Sequence, residues 1–379
     1  MRFLHTADVH LSVTAPERLD AFKAVCQMAQ DLDCKALVVA GDLFDTPQSA
    51  LDLRAEIREL FDSLEQDVFL IPGNHDAAAF RSGEYYGKHV HTTGGDESAR
   101  WEVEGVPLIG IPYLPGRQGV ESLRSMALRE QSPLIALMHT NFYNSSMAAL
   151  YFPQEEDNQT AACLWDRDLD DLPPTYIALG HWHNPTIPPV VVNNVQVAYS
   201  GTPYPTAKGE IGARCAVLIE VSSEGITLKG VEIPGVPRRE TASFFFVPGG
   251  EEQTLEEMRS FLNDQASTQV ILDLEVDGWV EKISEEACVG EIQAMVKRYC
   301  DRWKAVKTGT LHLTGMSSLP GFALRCLQFL GDSEAPDPSI LDSCTDPLLR
   351  ELAQEVLGEP DQVYRTALSH ILRQMGRGR

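Results

Sequence analysis

Five short apolar runs in the first half of the chain each lead into a carboxylate, an amide or an imidazole. Residues 3–4 lead to Asp8-Val9-His10, Ala36–Ala40 to Gly41-Asp42-Leu43-Phe44-Asp45, and residues 68–71 to Gly73-Asn74-His75-Asp76. Residues 134–138 lead to His139, and 176–179 to Gly180-His181-Trp182-His183. Apolar runs of this length, bounded by turn residues, read as strands. Five strands that each end in this way could converge on one rim of a sheet. Such a rim carries Asp, Asn and His, a ligand set suited to two divalent metal ions.

The charge balance supports that chemistry. Two divalent ions bring four positive charges. Asp8 and Asp42 return two, while His10, Asn74, His139, His181 and His183 add neutral N and O donors. The surplus can hold a hydroxide and a phosphate oxygen, the electrostatic requirement of metal-assisted phosphoester hydrolysis. Asp42 can bridge ions roughly 3.5–4 Å apart. The ligand pairs in Asp8-Val9-His10 and His181-Trp182-His183 are spaced two apart, so extended backbone sends both side chains of each pair to one face. His75 follows a ligand, points elsewhere and can reach the leaving group as general acid. A carboxylate would hold its tautomer, and Asp45 and Asp76 are the candidates. Gly41 and Gly73 are expected to let the backbone leave its strand sharply.

Between these motifs the pattern alternates strand and helix, with helices expected over 17–31 and 49–65. From residue 103 strands crowd together, interrupted by a helix near 120–130. That many strands fit two sheets back to back with helices outside. Pro234-Gly235-Val236-Pro237 marks a boundary. Beyond it lies a small α/β unit, in which Thr254-Leu255-Glu256-Glu257 resembles a capping box. From about residue 317 the pattern is helical. The expected division is a phosphoesterase domain over 1–238, an α/β unit over 239–316 and a helical region over 317–379.

At 379 residues the chain suggests two or three domains, and its apolar content of 43% is ordinary for a soluble protein. No apolar stretch approaches a membrane span, and the opening strand fits neither a signal nor a transit peptide. A cytoplasmic protein without membrane contact is expected. Its eight cysteines contain no Cys-x-x-Cys pair and read as reduced thiols. A net charge of −24 argues against broad, unaided affinity for nucleic acid. Arg81, Lys88, Arg100 and Arg117 could touch DNA phosphates, although solvated loop charges are the simpler reading.

The five motifs resemble those of the calcineurin-like metallophosphoesterase superfamily: D-x-H, G-D-x-x-D, G-N-H-D/E, H and G-H-x-H. Within it the chain is similar to SbcD-type DNA repair exonucleases, through Phe3-Leu4-His5-Thr6-Ala7-Asp8-Val9-His10-Leu11, Gly41-Asp42-Leu43-Phe44-Asp45 and Ala178-Leu179-Gly180-His181-Trp182-His183 followed by Tyr199-Ser200-Gly201-Thr202-Pro203. The resemblance implies a four-layer α/β/β/α sandwich, a small α/β DNA-capping domain and a helical C-terminal segment. It implies Asp8, His10 and His183 on a first metal, Asn74, His139 and His181 on a second, Asp42 bridging, and His75 as catalytic histidine. From the related phosphoprotein phosphatases, Asp45 rather than Asp76 is expected to partner His75. Manganese is the family's usual ion, with iron or zinc also suited to the ligands. DNA in repair and recombination is the implied substrate, and a coiled-coil ATPase of the SbcC type the implied partner, docked on the C-terminal helices around Leu368, Ile371, Leu372 and Met375. Pairing of two copies is left open. The competing readings are a small-molecule or cyclic-nucleotide phosphodiesterase, or a phosphoprotein phosphatase, with the same dinuclear site.

Overall fold

The run Ala36-Leu37-Val38-Val39-Ala40 is buried at every position, the mark of a parallel strand covered on both faces. It is β2 (Ala36–Ala40), parallel to β1 (Arg2–Thr6) on one side and β3 (Asp67–Ile71) on the other. The computed structural model describes residues 1–80, 85–114, 116–130, 133–144 and 162–315. Numbering continues with β4 (Val90–Thr92), β5 (Ala99–Val103), β6 (Val106–Ile111), β7 (Leu134–His139), β8 (Asn141–Tyr143), β9 (Cys163–Trp165) and β10 (Thr175–Gly180). The first unit closes with β11 (Val190–Val192), β12 (Val195–Tyr199), β13 (Cys215–Ser222) and β14 (Gly225–Glu232).

These strands form two six-stranded sheets, ordered β14-β13-β1-β2-β3-β4 and β11-β12-β10-β7-β6-β5. Phe3, Val38 and Ile71 of one sheet pack on Leu108, Leu137 and Ala178 of the other. Outside the first sheet lie α1 (Pro16–Asp31) and α2 (Pro47–Asp62), burying Phe22, Val25, Ile57 and Phe61. Outside the second lies α3 (Gln118–Ala127), burying Val120 and Leu123. The result is a four-layer α/β/β/α sandwich. Helix α2 starts earlier than its apolar spacing alone suggests, because Thr46 caps it: the hydroxyl accepts the Ser49 N–H at 3.1 Å, and Pro47 fills the first turn.

The described residues separate into two compact units, dividing between Arg238 and Arg239. The second is a three-stranded sheet of β15 (Arg238–Phe246), β16 (Val270–Val280) and β17 (Ala305–Gly315), with α4 (Glu251–Asp264) and α5 (Glu285–Tyr299). Phe246, Leu272 and Leu274 pack there on Met258, Leu262 and Ile292. Arg239 and Asp273 form a buried bidentate pair between β15 and β16, with Nη2 to Oδ1 at 2.8 Å. Thr254 does not open α4. The helix begins at Glu251, whose carboxylate accepts the N–H groups of Gly249 and Lys282, each at 3.2 Å, while the Thr254 hydroxyl donates back to Gly250 O. That buried acid, tied to two loops, outcompetes the local signal. The expected helical region 317–379, with its docking face, lies outside the described residues, as does Arg81. No described helix is long and apolar enough to cross a membrane.

Candidate metal centre

Strands β1, β2 and β3 run parallel, so their carboxyl ends share an edge, and β7 and β10 end there too. The loops leaving that edge are laced together by the main chain. Asp8 N donates to Gly41 O at 3.1 Å, His10 N to Asp42 O at 3.0 Å, and Asp45 N to Leu11 O at 3.1 Å. Carboxylates then accept from backbone across loops: Asp8 from His181 N at 2.9 and 3.0 Å, Asp42 from His75 N at 2.8 Å. Asp76, fully buried, accepts Phe44 N at 3.1 Å and Gly73 N at 2.9 Å, stapling the loop after β3 to the loop after β2.

The backbone carries the strain of this lacing. Asp8 (φ 52°), His10 (φ 50°), Asp42 (φ 49°) and His181 (φ 103°) all lie in the left-handed region, which residues with a Cβ seldom occupy. Extended backbone is therefore not what aims the Asp8 and His10 side chains, contrary to the expectation from their spacing. Each is turned inward by a left-handed residue, held by the hydrogen bonds just described. Close approach explains two glycines. A Cβ on Gly73 would lie 2.2 Å from Asp42 Oδ1, and one on Gly180 would lie 1.9 Å from Ala40 O.

The structure brings all seven expected ligands together. His10 Nε2 lies 3.1 Å from His183 Nε2, His139 Nε2 3.0 Å from Asn74 Oδ1, and His181 Nδ1 3.1 Å from the same oxygen. Asp42 Oδ2 lies 3.2 Å from His139 Nε2 and 3.9 Å from His10 Nε2, between the two sets. Donor atoms gathered around one ion at about 2.0–2.2 Å stand roughly 3.0–3.5 Å apart, so these separations fit two ions with Asp42 between them. Ligand atoms of Asp8, His10 and His183, and of Asp8, Asp42 and His139, fall within 4.8 Å of one another, as do those of His10, Asp45 and His75.

The tautomers fit as well. His139 Nδ1 donates to Ala40 O at 3.0 Å, which leaves Nε2 facing the site. His183 Nδ1 meets Glu210 Oε1 at 2.7 Å, leaving its Nε2 likewise. Glu210 escaped the motif reading because it lies on a loop without periodicity, although that loop follows the quoted Tyr199-Ser200-Gly201-Thr202-Pro203. It is 4% exposed and also accepts from Thr206 and Ala207. Arg214, almost fully buried, donates to His183 O at 2.7 Å and Glu210 O at 3.1 Å, fixing both partners. Glu210→Gln is expected to weaken metal binding about 10–100-fold, the usual effect of losing a carboxylate behind a ligating histidine. Titration of metal into the variant, followed by calorimetry, checks this.

Asp45 differs from its expected role. His75 Nδ1 meets the main-chain carbonyl of Asp45 at 3.1 Å, not the carboxylate. The carboxylate is engaged elsewhere, 3.4 Å from Arg18 Nη1 and 3.5 Å from His10 Nδ1. Arg18 also donates to His10 O at 2.7 Å, so this anchored cation draws the acid away from His75. Asp76 is no partner for His75 either, since both its oxygens are taken by the staple. His75 itself is exposed at the mouth of the site, its ring edge-on to His10 at 4.8 Å between centroids. Of the basic residues weighed for DNA, Arg100 pairs with Glu130 at 2.6 Å and Arg117 with Asp168 at 2.8 Å. His5 is packed, fully buried with Nδ1 at 2.7 Å from the Tyr176 hydroxyl.

Burial opposes protonation of His139, but the adjacent Asp42 and Asp8 carboxylates outweigh it and push its pKa up to about 9. Burial first raises the Asp8 carboxyl, to about 6. A metal ligated by His139 Nε2 must displace its proton. Below about 9, binding therefore releases a proton, and affinity is expected to rise with pH by up to about tenfold per unit from this group. Metal titrations in buffers of different ionisation enthalpy count the protons released.

Residues 1–185 match the family described as Calcineurin-like phosphoesterase. Those residues form a calcineurin-like phosphoesterase domain. The DNA double-strand break repair protein Mre11 of Methanosarcina acetivorans is 28% identical over 291 residues, 70% of this chain and 43% of that protein. The SbcD component of nuclease SbcCD from Escherichia coli is 26% identical over 279 residues, 62% of this chain and 68% of that protein. The chain thus spans less than half the length of the archaeal relatives it matches. Among solved structures, a dimetal phosphatase from Danio rerio is similar with a TM-score of 0.42 and 11% identity, over 61% of this chain and 95% of that one. The phosphoesterase domain is followed in this chain by the α/β unit that begins at β15.

Proposed function

We propose that the protein is a metal-dependent DNA phosphodiester hydrolase, an exonuclease of DNA repair similar to SbcD. The observation that carries the reading is the two donor sets, His10 with His183 and His139 and His181 with Asn74, whose donor atoms lie 3.0–3.1 Å apart within each set, with Asp42 3.2 Å from His139 and 3.9 Å from His10. In this reading Asp8, His10 and His183 would hold one ion, Asn74, His139 and His181 would hold the other, and Asp42 would serve both. Manganese is the proposed ion. Bound metals would supply Lewis-acid charge for the phosphate and a lowered pKa for the attacking water.

The chain's own residues do the rest. Glu210 and the Ala40 carbonyl hold His183 and His139 in the tautomers that present Nε2. Asp8 and Asp42 fix the His181 and His75 backbone, so binding a phosphate costs little reorganisation. His75 donates a proton from Nε2 to the departing 3′- or 5′-oxygen, while its Nδ1–H stays on Asp45 O. Asp45 acts through that carbonyl, and its carboxylate pairs with Arg18 at 3.4 Å.

DNA as substrate is supported by the two relatives named for DNA repair and nuclease activity, and by the α/β unit after residue 238, which a small-molecule phosphodiesterase does not need. The net charge of −24 favours the competing reading, a phosphatase or phosphodiesterase for small substrates. A coiled-coil ATPase of the SbcC type is the proposed partner, and it would supply the DNA affinity that this acidic chain lacks. The test is release of nucleotides from labelled linear DNA with manganese, with and without that ATPase. Release that a chelator abolishes supports the proposal. Turnover of cyclic nucleotides or phosphopeptides with every form of DNA left intact overturns it.

A further inference from the structure

Few large apolar side chains are well exposed among the described residues, yet three of them sit on loops that build the metal centre: Val13, Trp182 and Ile211. Trp182 is the largest, 54% exposed, and lies between His181 and His183. Among the described residues its indole takes part in no ring stacking and no cation–π contact. The loop under it is pinned on both sides. His181 N is held by Asp8 at 2.9 Å, and His183 O accepts from Arg214 at 2.7 Å and from Thr202 N at 3.1 Å. Asn184 Nδ2 donates to Gly209 O at 3.1 Å. A second aromatic, Tyr113, has its ring centroid 6.5 Å from His181 and 6.2 Å from His139.

A solvent-facing indole on a pinned loop, adjacent in sequence to His181 and His183, is a flat apolar surface beside the centre where a phosphate would bind. The polyanion must also be held by a chain of net charge −24, whose Arg100 and Arg117 are already paired with acids. Base faces offer affinity that needs no cation. Resting on the nuclease reading above, we propose that Trp182 stacks on the nucleobase next to the scissile phosphate. Bases inside a duplex have both faces covered by their neighbours. The favoured substrate class is therefore a DNA end whose terminal base is unpaired or frays readily.

The test compares linear DNA ending in a normal nucleotide with the same DNA ending in an abasic one, using full-length protein with manganese. Wild type is expected to favour the base-bearing end by roughly fivefold or more in kcat/KM, the scale of one lost stacking contact. That ratio falls to about one in Trp182→Ala and recovers in Trp182→Phe. Terminal 2-aminopurine, read with calcium in place of manganese, is quenched on binding wild type and the Phe variant but not the Ala variant. A Trp182→Ala protein that binds metal as wild type does and keeps the wild-type ratio overturns the proposal, as an indole serving a protein partner would. If wild type neither binds nor cleaves DNA in any form, the nuclease reading itself fails.

Discussion

Asp42→Asn is expected to lower phosphodiester hydrolysis by about 10³-fold or more while the protein stays folded. Asparagine keeps the oxygen that accepts His75 N–H at 2.8 Å, so the loop after β3 stays in place. What disappears is the negative charge between the two donor sets, 3.2 Å from His139 Nε2 and 3.9 Å from His10 Nε2. Metal charge contributes several kcal/mol to the transition state in sites of this type, and each 1.4 kcal/mol is a factor of ten. Thermal unfolding separates this loss from misfolding. Wild type is expected to gain stability as metal is added, whereas the variant unfolds near the metal-free wild-type temperature and gains little. A variant with full metal-dependent stabilisation and a rate near wild type would remove Asp42 from the centre.

His75→Ala is expected to separate binding from chemistry. His75 is exposed at the mouth, and its Nδ1 is occupied by Asp45 O at 3.1 Å. Removing it should leave metal stoichiometry and metal-dependent stabilisation at wild-type values. Cleavage of DNA should fall about 10²–10⁴-fold, the usual contribution of a positioned acid. The loss depends on the leaving group. A nitrophenyl phosphodiester, whose phenolate departs without a proton, should lose far less than DNA, whose alkoxide needs one. Equal losses on both substrates would mean that His75 holds the phosphate or a metal instead.

Much of this site was legible in the sequence, for a physical reason. A parallel strand buried on both faces reads as an unbroken apolar run, and the first polar residue after it must leave the core at the strand's carboxyl end. Runs ending at Ala40, Ile71, Met138 and Leu179 therefore announce their own rim. What stayed hidden depends on partners chosen by packing. Glu210, Arg214 and Tyr113 sit on irregular segments, and only the fold brings them against His183 and His181. The choice of the Asp45 carbonyl over its carboxylate depends on Arg18, which arrives from α1 and takes the acid. The inward aim of Asp8 and His10 comes from left-handed backbone that spacing alone does not reveal.

Anomalous diffraction from crystals grown with manganese tests the dinuclear centre most directly. The geometry predicts two peaks per chain. One should lie among Asp8, His10 and His183, the other among Asn74, His139 and His181, both within reach of Asp42, with the His75 ring outside either coordination shell. A single peak, peaks away from these residues, or a His75 nitrogen bound to an ion would contradict it.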